Sequence, residues 1–182
     1  MDNGACSYRR FLDGDEAAFD EIMEEHFRNL VFFIDRYVND VHIAEDIAID
    51  AFTDLVVNRR RYNFKFSLKT YLYMLGRSRA IDYLRRRRRI AHDSLDTVLR
   101  TADGGVCPDD VLLDKDSRRA VVEAVDGLPQ SMREAVYLVY FDEMTYEEAA
   151  RVMKKTKKQV DNLLYRAKKE LRAVLGKDGR II

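Results

Sequence analysis

TYEEAARVMKKTKKQVDNLLYRAKKEL, residues 145–171, is the stretch that decides the fold. Thr145 stands three residues before Glu148, the spacing of a capping box, in which each side chain satisfies the other residue's backbone N–H and a helix begins. The helix so opened, YEEAARVM, is short. A three-residue break follows, and Thr156 is placed to cap a longer helix. On that second helix Val160, Leu164, Ala167 and Leu171 share one face, which the spacing turns inward. Lys157, Lys158, Asp161, Asn162, Tyr165, Arg166 and Lys169 are left outward or at the edges. A short helix, a tight turn and a long helix with a polar outer face form the helix-turn-helix layout. A bare helical hairpin packed in a core shares that layout, but the surplus of positive charge on the outer face weighs against it.

Upstream, Ser131 to Phe141 reads as another short helix with Ala135, Val136, Leu138 and Val139 inward. Gly127-Leu128-Pro129 closes the helix before it, expected from about Asp110 to Asp126. The segment IAHDSLDTVLRTADGGVCPD, 90–109, has weak periodicity, a Gly-Gly pair and a proline, so residues 91–109 are expected to be a flexible linker. Before it, helix periodicity begins after Gly14, with Ala18, Ile22, Phe27, Leu30, Val31 and Ile34 as an apolar stripe. A second helix starts near Asp40. It carries Ile43, Ile47, Ala51 and Leu55 on one side and Glu45, Asp46, Asp50 and Asp54 mostly on another. RRRYNFKF, 59–66, breaks the pattern as a loop, and Ser67 is an N-cap for LKTYLYMLGRSRAIDYLRRRRR. Leu68, Leu72 and Leu75 of that third helix should face the first two. The expected architecture is all-α: two small helical domains, 11–90 and 110–176, joined by a flexible linker, the second containing the helix-turn-helix.

Composition agrees with that class. The chain has 182 residues, 47% apolar and 35% charged, with only two Pro and eight Gly, which favours helices over sandwiches or barrels. Cys6 and Cys107 form no CxxC pair and read as free thiols of an intracellular protein. No apolar run reaches membrane-spanning length, and MDNGACSYRR lacks the apolar core of a secretory signal. A cytoplasmic protein without membrane insertion is expected.

The sign of charge along the chain is more informative than its total of zero. Residues 59–90 hold twelve Lys or Arg and one acid, and residues 151–182 hold eleven and three. Residues 1–58 and 91–150 are net −10 and −9. Two cationic blocks on an acidic background can grip a polyanion at two places and dock proteins elsewhere. In the first block, Arg85, Arg86, Arg87, Arg88 and Arg89 follow a helix that already bears Arg77 and Arg79. Five consecutive arginines cannot share one buried face, so they meet solvent or a polyanion. Phosphate contacts of this kind release counterions and weaken steeply with salt. They position a nucleic acid without identifying its bases. Tyr62, Phe64, Phe66, Tyr71 and Tyr73 lie beside these arginines. Such rings stack single-stranded bases or pocket a flipped one, at about 1–3 kcal/mol per base. The alternative is that Phe64, Phe66 and Tyr71 fill a small core.

The acidic second helix has only His42 near metal-ligand spacing and offers no cleft, so docking of a basic partner helix suits it better than metal or acid–base work. His26, His42 and His92 are scattered and take no role. The chain carries no Walker loop, Rossmann fingerprint or Ser/His/Asp pattern. No enzyme activity and no cofactor are expected.

Taken in order, these segments resemble the small bacterial RNA polymerase sigma factors of the extracytoplasmic-function type, in the sigma-70 superfamily. The likeness runs from about residue 11 to 175. GDEAAFDEIMEEHF resembles the opening of conserved region two, and AEDIAIDAFTDLV the segment that docks on the clamp helices of the polymerase largest subunit. FSLKTYLYMLGRSRAIDYLRRRRR resembles the segment that melts and reads the −10 element. LPQSMREAVYLVYFDEMTYEEAARVMKKTKKQVDNLLYRAKKEL resembles region four, which reads the −35 element and meets the flap of the second-largest subunit. The resemblance implies polymerase docking by Glu45, Asp46, Asp50, Phe52 and Asp54. It implies −10 contacts from Tyr62, Phe64, Lys69, Tyr71, Arg77, Arg79 and Arg85 to Arg88. It implies −35 contacts from Thr156, Lys157, Lys158, Asp161, Asn162 and Arg166. Core RNA polymerase, promoter DNA and an anti-sigma factor are the implied partners. The linker would span the promoter spacer.

Three positions depart from the family pattern: Tyr71 stands where Trp is usual, Lys154 where Gly is usual in the turn, and Asp161 where Lys or Arg is frequent. A positive φ at Lys154 would cost about 1 kcal/mol. An acid at 161 repels phosphate but can accept from a cytosine amino group. The rival reading is a helix-turn-helix transcriptional regulator that binds duplex DNA without replacing sigma. A pure protein-interaction module is a second.

Overall fold

Side chains of Asp40, Ser67, Thr145 and Thr156 cap four of the helices at their starts. The computed structural model describes residues 4–93 and 115–176. The helices are α1 (Ala5–Leu12), α2 (Ala17–Val38), α3 (Val41–Val57), α4 (Leu68–Asp93), α5 (Lys115–Asp126), α6 (Gln130–Val136), α7 (Tyr146–Met153) and α8 (Lys157–Leu175). A π-helical turn, Tyr137–Phe141, continues α6. All regular structure among the described residues is helical. The chain forms two compact units that divide between Val106 and Cys107.

In the first unit α2 is central, packed on α1, α3 and α4, and α3 also packs on α4. Asp40 caps α3 by accepting from the backbone N–H groups of His42 (3.1 Å) and Ile43 (3.2 Å). Ser67 Oγ accepts from Thr70 N–H at 3.2 Å and starts α4 as the sequence predicts. Ala18, Ile22, Leu30, Val31 and Ile34 of α2 are buried with Ile47, Ala51, Leu55, Leu68 and Leu72, while Leu75 is half-buried. Gly76 lets α2 and α4 approach closely: a Cβ there would lie 3.0 Å from both Leu30 Cδ1 and Ile34 Cδ1.

Helix α1 is the element that periodicity misses, since the apolar stripe starts only after Gly14. It is held by Tyr8, fully buried, whose hydroxyl proton is shared between the carbonyls of Leu55 (3.0 Å) and Arg59 (3.1 Å). Burial, reinforced by Tyr71, pushes this phenol up to about 12, so it remains a donor at any ordinary pH. The Leu55 carbonyl belongs to the last turn of α3, which lacks intrahelical partners, and the Arg59 carbonyl lies just beyond the helix end. Tyr8 thus ties α1 to the start of the loop that follows.

In the second unit α8 is the central helix, contacted by α5, α6 and α7. Val160, Leu164, Ala167 and Leu171 are its buried face, as their spacing requires. The helix expected over Ser131–Phe141 starts at Gln130 and changes character at Tyr137, where Asp142 N–H donates to the Tyr137 carbonyl at 2.9 Å. Val139 is half-buried there. Helix α4 outlasts the arginine ladder and ends at Asp93, inside the stretch expected to be linker. The rest of the 91–109 linker, the expected helix start near Asp110, and Cys107 lie outside the described residues. Cys6 is exposed and not in a disulfide.

Candidate nucleic-acid interface

The loop after α3 is an aromatic cluster whose backbone is bent by side-chain bonds. Tyr62 OH donates to the Phe66 carbonyl at 2.7 Å, and Asn63 Oδ1 accepts from Lys65 N–H at 3.2 Å. Phe64 takes a left-handed backbone (φ 59°), which is costly for an aromatic residue and marks a constrained position. The rings interlock: Tyr62 lies 4.7 Å from Phe64, 5.3 Å from Tyr71 and 5.5 Å from Tyr8. Arg9 of α1 covers the Phe64 ring at 4.9 Å, a contribution that sequence periodicity did not reveal.

This packing corrects part of the expected DNA surface. Tyr62 is buried (3% exposed) and supports the loop from beneath instead of offering a face to a base. Phe64, Phe66 and Tyr71 are half-buried, and burial raises the Tyr71 phenol, with Asp54 adding to the shift. Lys69 is half-buried over the Tyr73 ring at 5.9 Å, and Tyr73 is fully buried. Arg77 is half-buried. Along the far part of α4, Arg85, Arg86, Arg87, Arg88 and Arg89 are all exposed. Arg85 pairs weakly with Asp82 at 3.4 Å. Arg86, Arg87 and Arg88 meet no carboxylate among the described residues. Exposed arginines without partners keep their full charge for an anion.

On α3, Glu45, Asp46 and Asp50 are exposed together with Ile49, so this face is acidic with one apolar side chain. Phe52 does not belong to it. Its ring is 2% exposed and packs against Phe27 (5.9 Å) and Phe19 (6.2 Å), because its register places it toward α2. Asp54 does not belong to it either. Its side chain is 10% exposed and pairs with Arg61 at 3.2 Å and Arg79 at 3.5 Å. Two residues expected on different surfaces, Asp54 and Arg79, therefore engage each other.

In the second unit both capping boxes form: Thr145 with Glu148, and Thr156 with Gln159. Between them Lys154 takes the left-handed conformation (φ 53°, ψ 45°) that ends α7. Lys155 N–H then donates to the Ala150 carbonyl at 2.8 Å, closing the turn. The turn thus keeps the geometry that glycine would favour, and the lysine bears the strain. Thr156 at the N-cap of α8, and Lys157, Lys158, Asp161, Asn162 and Arg166 on its outer face, are all exposed. Tyr165, 72% exposed, lies among them. Lys157 Nζ bridges to Glu147 Oε1 across the turn, which raises the ammonium pKa and lowers that of the carboxylate. Exposed pairs of this kind hold geometry weakly. A capped helix with these five polar side chains on one open face has the form of a groove-reading helix.

Residues 22–90 match the family model described as sigma-70 region 2, and residues 118–171 the one described as sigma-70, region 4. The chain belongs to the sigma-70 family. It is a sigma factor of the extracytoplasmic-function type, which directs RNA polymerase to promoters. It is similar to the ECF RNA polymerase sigma factor SigM of Bacillus subtilis, 24% identical over 158 residues that span 85% of this chain and 93% of SigM. SigW of the same organism is 25% identical over 172 residues, 89% of this chain and 91% of SigW. Among solved structures, the sigma factor RpoE in complex with the anti-sigma factor NepR from Bartonella quintana shares the fold with a TM-score of 0.72 at 21% identity, covering 88% of this sigma factor and 98% of that chain. CnrH, solved with the cytosolic domain of CnrY, has a TM-score of 0.66 at 17% identity, covering 98% and 100%. Among the described residues of this sigma factor no helix is long and apolar enough to cross a membrane.

Proposed function

We propose a residue-level division of labour for this sigma factor. The α3 face of Glu45, Asp46 and Asp50, with Ile49 at its centre, docks core polymerase. The first unit grips the −10 region through Arg85, Arg86, Arg87 and Arg88. Phe64 and Tyr71, with Arg77 and Lys69 nearby, form the rim that receives an unpaired base, and buried Tyr62 holds that rim in place. The outer face of α8 enters the −35 major groove. Thr156, Lys157 and Lys158 lead on the phosphates, and Asp161, Asn162 and Arg166 follow along the base edges. Strand opening is driven by stacking and phosphate contacts. The protein itself breaks no bond and takes no cofactor, and bond formation belongs to the polymerase. The domains act as 11–90 and 110–176 with 91–109 between them. The protein works in the cytoplasm, and an anti-sigma factor covers one or both binding faces when transcription is off, as the anti-sigma factor NepR is found in complex with RpoE.

The observation that carries this reading is that the arginine ladder and the α8 outer face both stand exposed, and each lies in the unit that its family match assigns to region two or region four. The test is initiation: core polymerase plus this protein on randomised promoter DNA. The reading requires transcripts from a sequence-defined subset. Tight duplex binding by the free protein, with no core-dependent initiation, would instead favour a helix-turn-helix regulator.

A further inference from the structure

Asp54 sits in the last turn of α3, where a carboxylate faces the negative end of the helix dipole. An acid placed there needs compensation, and three side chains supply it. Asn58 Nδ2 donates to Asp54 Oδ1 at 2.8 Å. Arg61 Nη1 donates to the same oxygen at 3.2 Å and lies 3.5 Å from Oδ2. Arg79 Nη2 stands 3.5 Å from Oδ1. These three come from the end of α3, the aromatic loop and α4. With only 10% of the carboxylate side chain exposed, little water competes for it. Removing the charge leaves Arg61 without its anion and Arg79 with only its 3.8 Å contact to Asp50, and leaves the loop held to α4 by ring contacts such as Tyr62–Tyr71.

We propose that Asp54 is a positioning residue for strand opening: by clamping Asn58, Arg61 and Arg79 it fixes the 58–67 loop against α4. This rests on the reading that the loop meets opened −10 DNA. Asp54 then acts through the loop and touches neither DNA nor polymerase. Arg79 belongs to the same clamp, and its partial engagement with exposed Asp50 at 3.8 Å links the clamp to the edge of the docking face.

The test uses the full chain with core polymerase and a promoter carrying 2-aminopurine in its −10 element. Asp54→Asn should slow opening of duplex promoter about tenfold, equivalent to ~1.4 kcal/mol. Core affinity should be unchanged, and initiation from a pre-melted promoter should return to the parent level. Asp54→Glu should recover part of the loss, because it restores the anion. Arg61→Gln changes an exposed side chain and does not threaten the fold, and its defect should be non-additive with that of Asp54→Asn. Lower core affinity with normal opening would overturn the proposal and return Asp54 to the docking face. So would additive defects in the double variant. Phe64→Ala separates the proposal from the reading beneath it. Normal opening in Phe64→Ala removes the reading that the loop meets DNA. A defect in Phe64→Ala beside normal opening in Asp54→Asn removes only the clamp.

Discussion

Replacing Lys154 with glycine should stabilise the second unit. Lys154 has φ 53° and ψ 45°, the left-handed well in which the Cβ of an L-residue crowds its own carbonyl. That conformation costs a non-glycine residue about 1–2 kcal/mol. Glycine removes the strain but returns roughly 0.5–1 kcal/mol through the greater freedom of its unfolded chain. The side chain is exposed and its loss empties no core space, so the net gain is about 0.5–1 kcal/mol. Hydrogen exchange on the full chain reads this directly at the amides of α7 and α8. A gain of that size slows exchange about two- to fivefold where the amides open by unfolding of the unit. Lys154→Ala is the control: it removes the same charge without relieving the backbone, and should give no protection. Lys154→Asn should fall between, since asparagine tolerates this region. Equal protection in all three variants would show that charge, not backbone strain, governs the turn. Faster exchange in Lys154→Gly would refute the left-handed assignment itself.

Three further outcomes follow from the surfaces. Arg87→Ala with Arg88→Ala should lower promoter affinity and reduce the slope of log K against log salt by about 2, since each lost phosphate contact removes ~0.9; unchanged slopes in filter binding would leave the ladder merely solvated. Asp46→Lys with Asp50→Lys should weaken capture of core polymerase without unfolding the domain, because both side chains are exposed; undiminished capture would remove α3 from the docking face. Asp161→Ala should change the −35 motif recovered from randomised DNA while leaving the −10 motif intact; an identical −35 motif would place Asp161 off the groove.

Much of the fold was legible because its signals are local. The capping box at Thr145, the caps at Thr156 and Ser67, the helix start near Asp40 and the α8 stripe each depend on residues within two turns of one another. Helix α1 was not, because its eight residues include two adjacent arginines and its anchor, Tyr8, finds its partners 47 and 51 residues away. The π-helical turn at Tyr137 leaves no distinct periodic trace in so short a segment. The candidate site was legible in its charge and not in its depth. A run of five arginines must reach solvent, so the ladder could be placed from sequence alone. Whether Tyr62 stacks a base or fills a core depends on Tyr8, Phe66 and Tyr71 arriving around it, which no local pattern encodes. Asp54 shares its helix with Glu45, Asp46 and Asp50, and its engagement by Asn58, Arg61 and Arg79 shows that its carboxylate points elsewhere.

The central claim is that the first unit opens DNA while polymerase holds it. Permanganate reactivity of thymines in the −10 element tests this most directly, on promoter DNA with core polymerase alone, this protein alone, and both together. Reactivity only in the combined reaction, reduced by Arg87→Ala with Arg88→Ala, is the predicted result. Reactivity with core polymerase alone, or a combined reaction in which the −10 thymines stay protected in duplex, would contradict it.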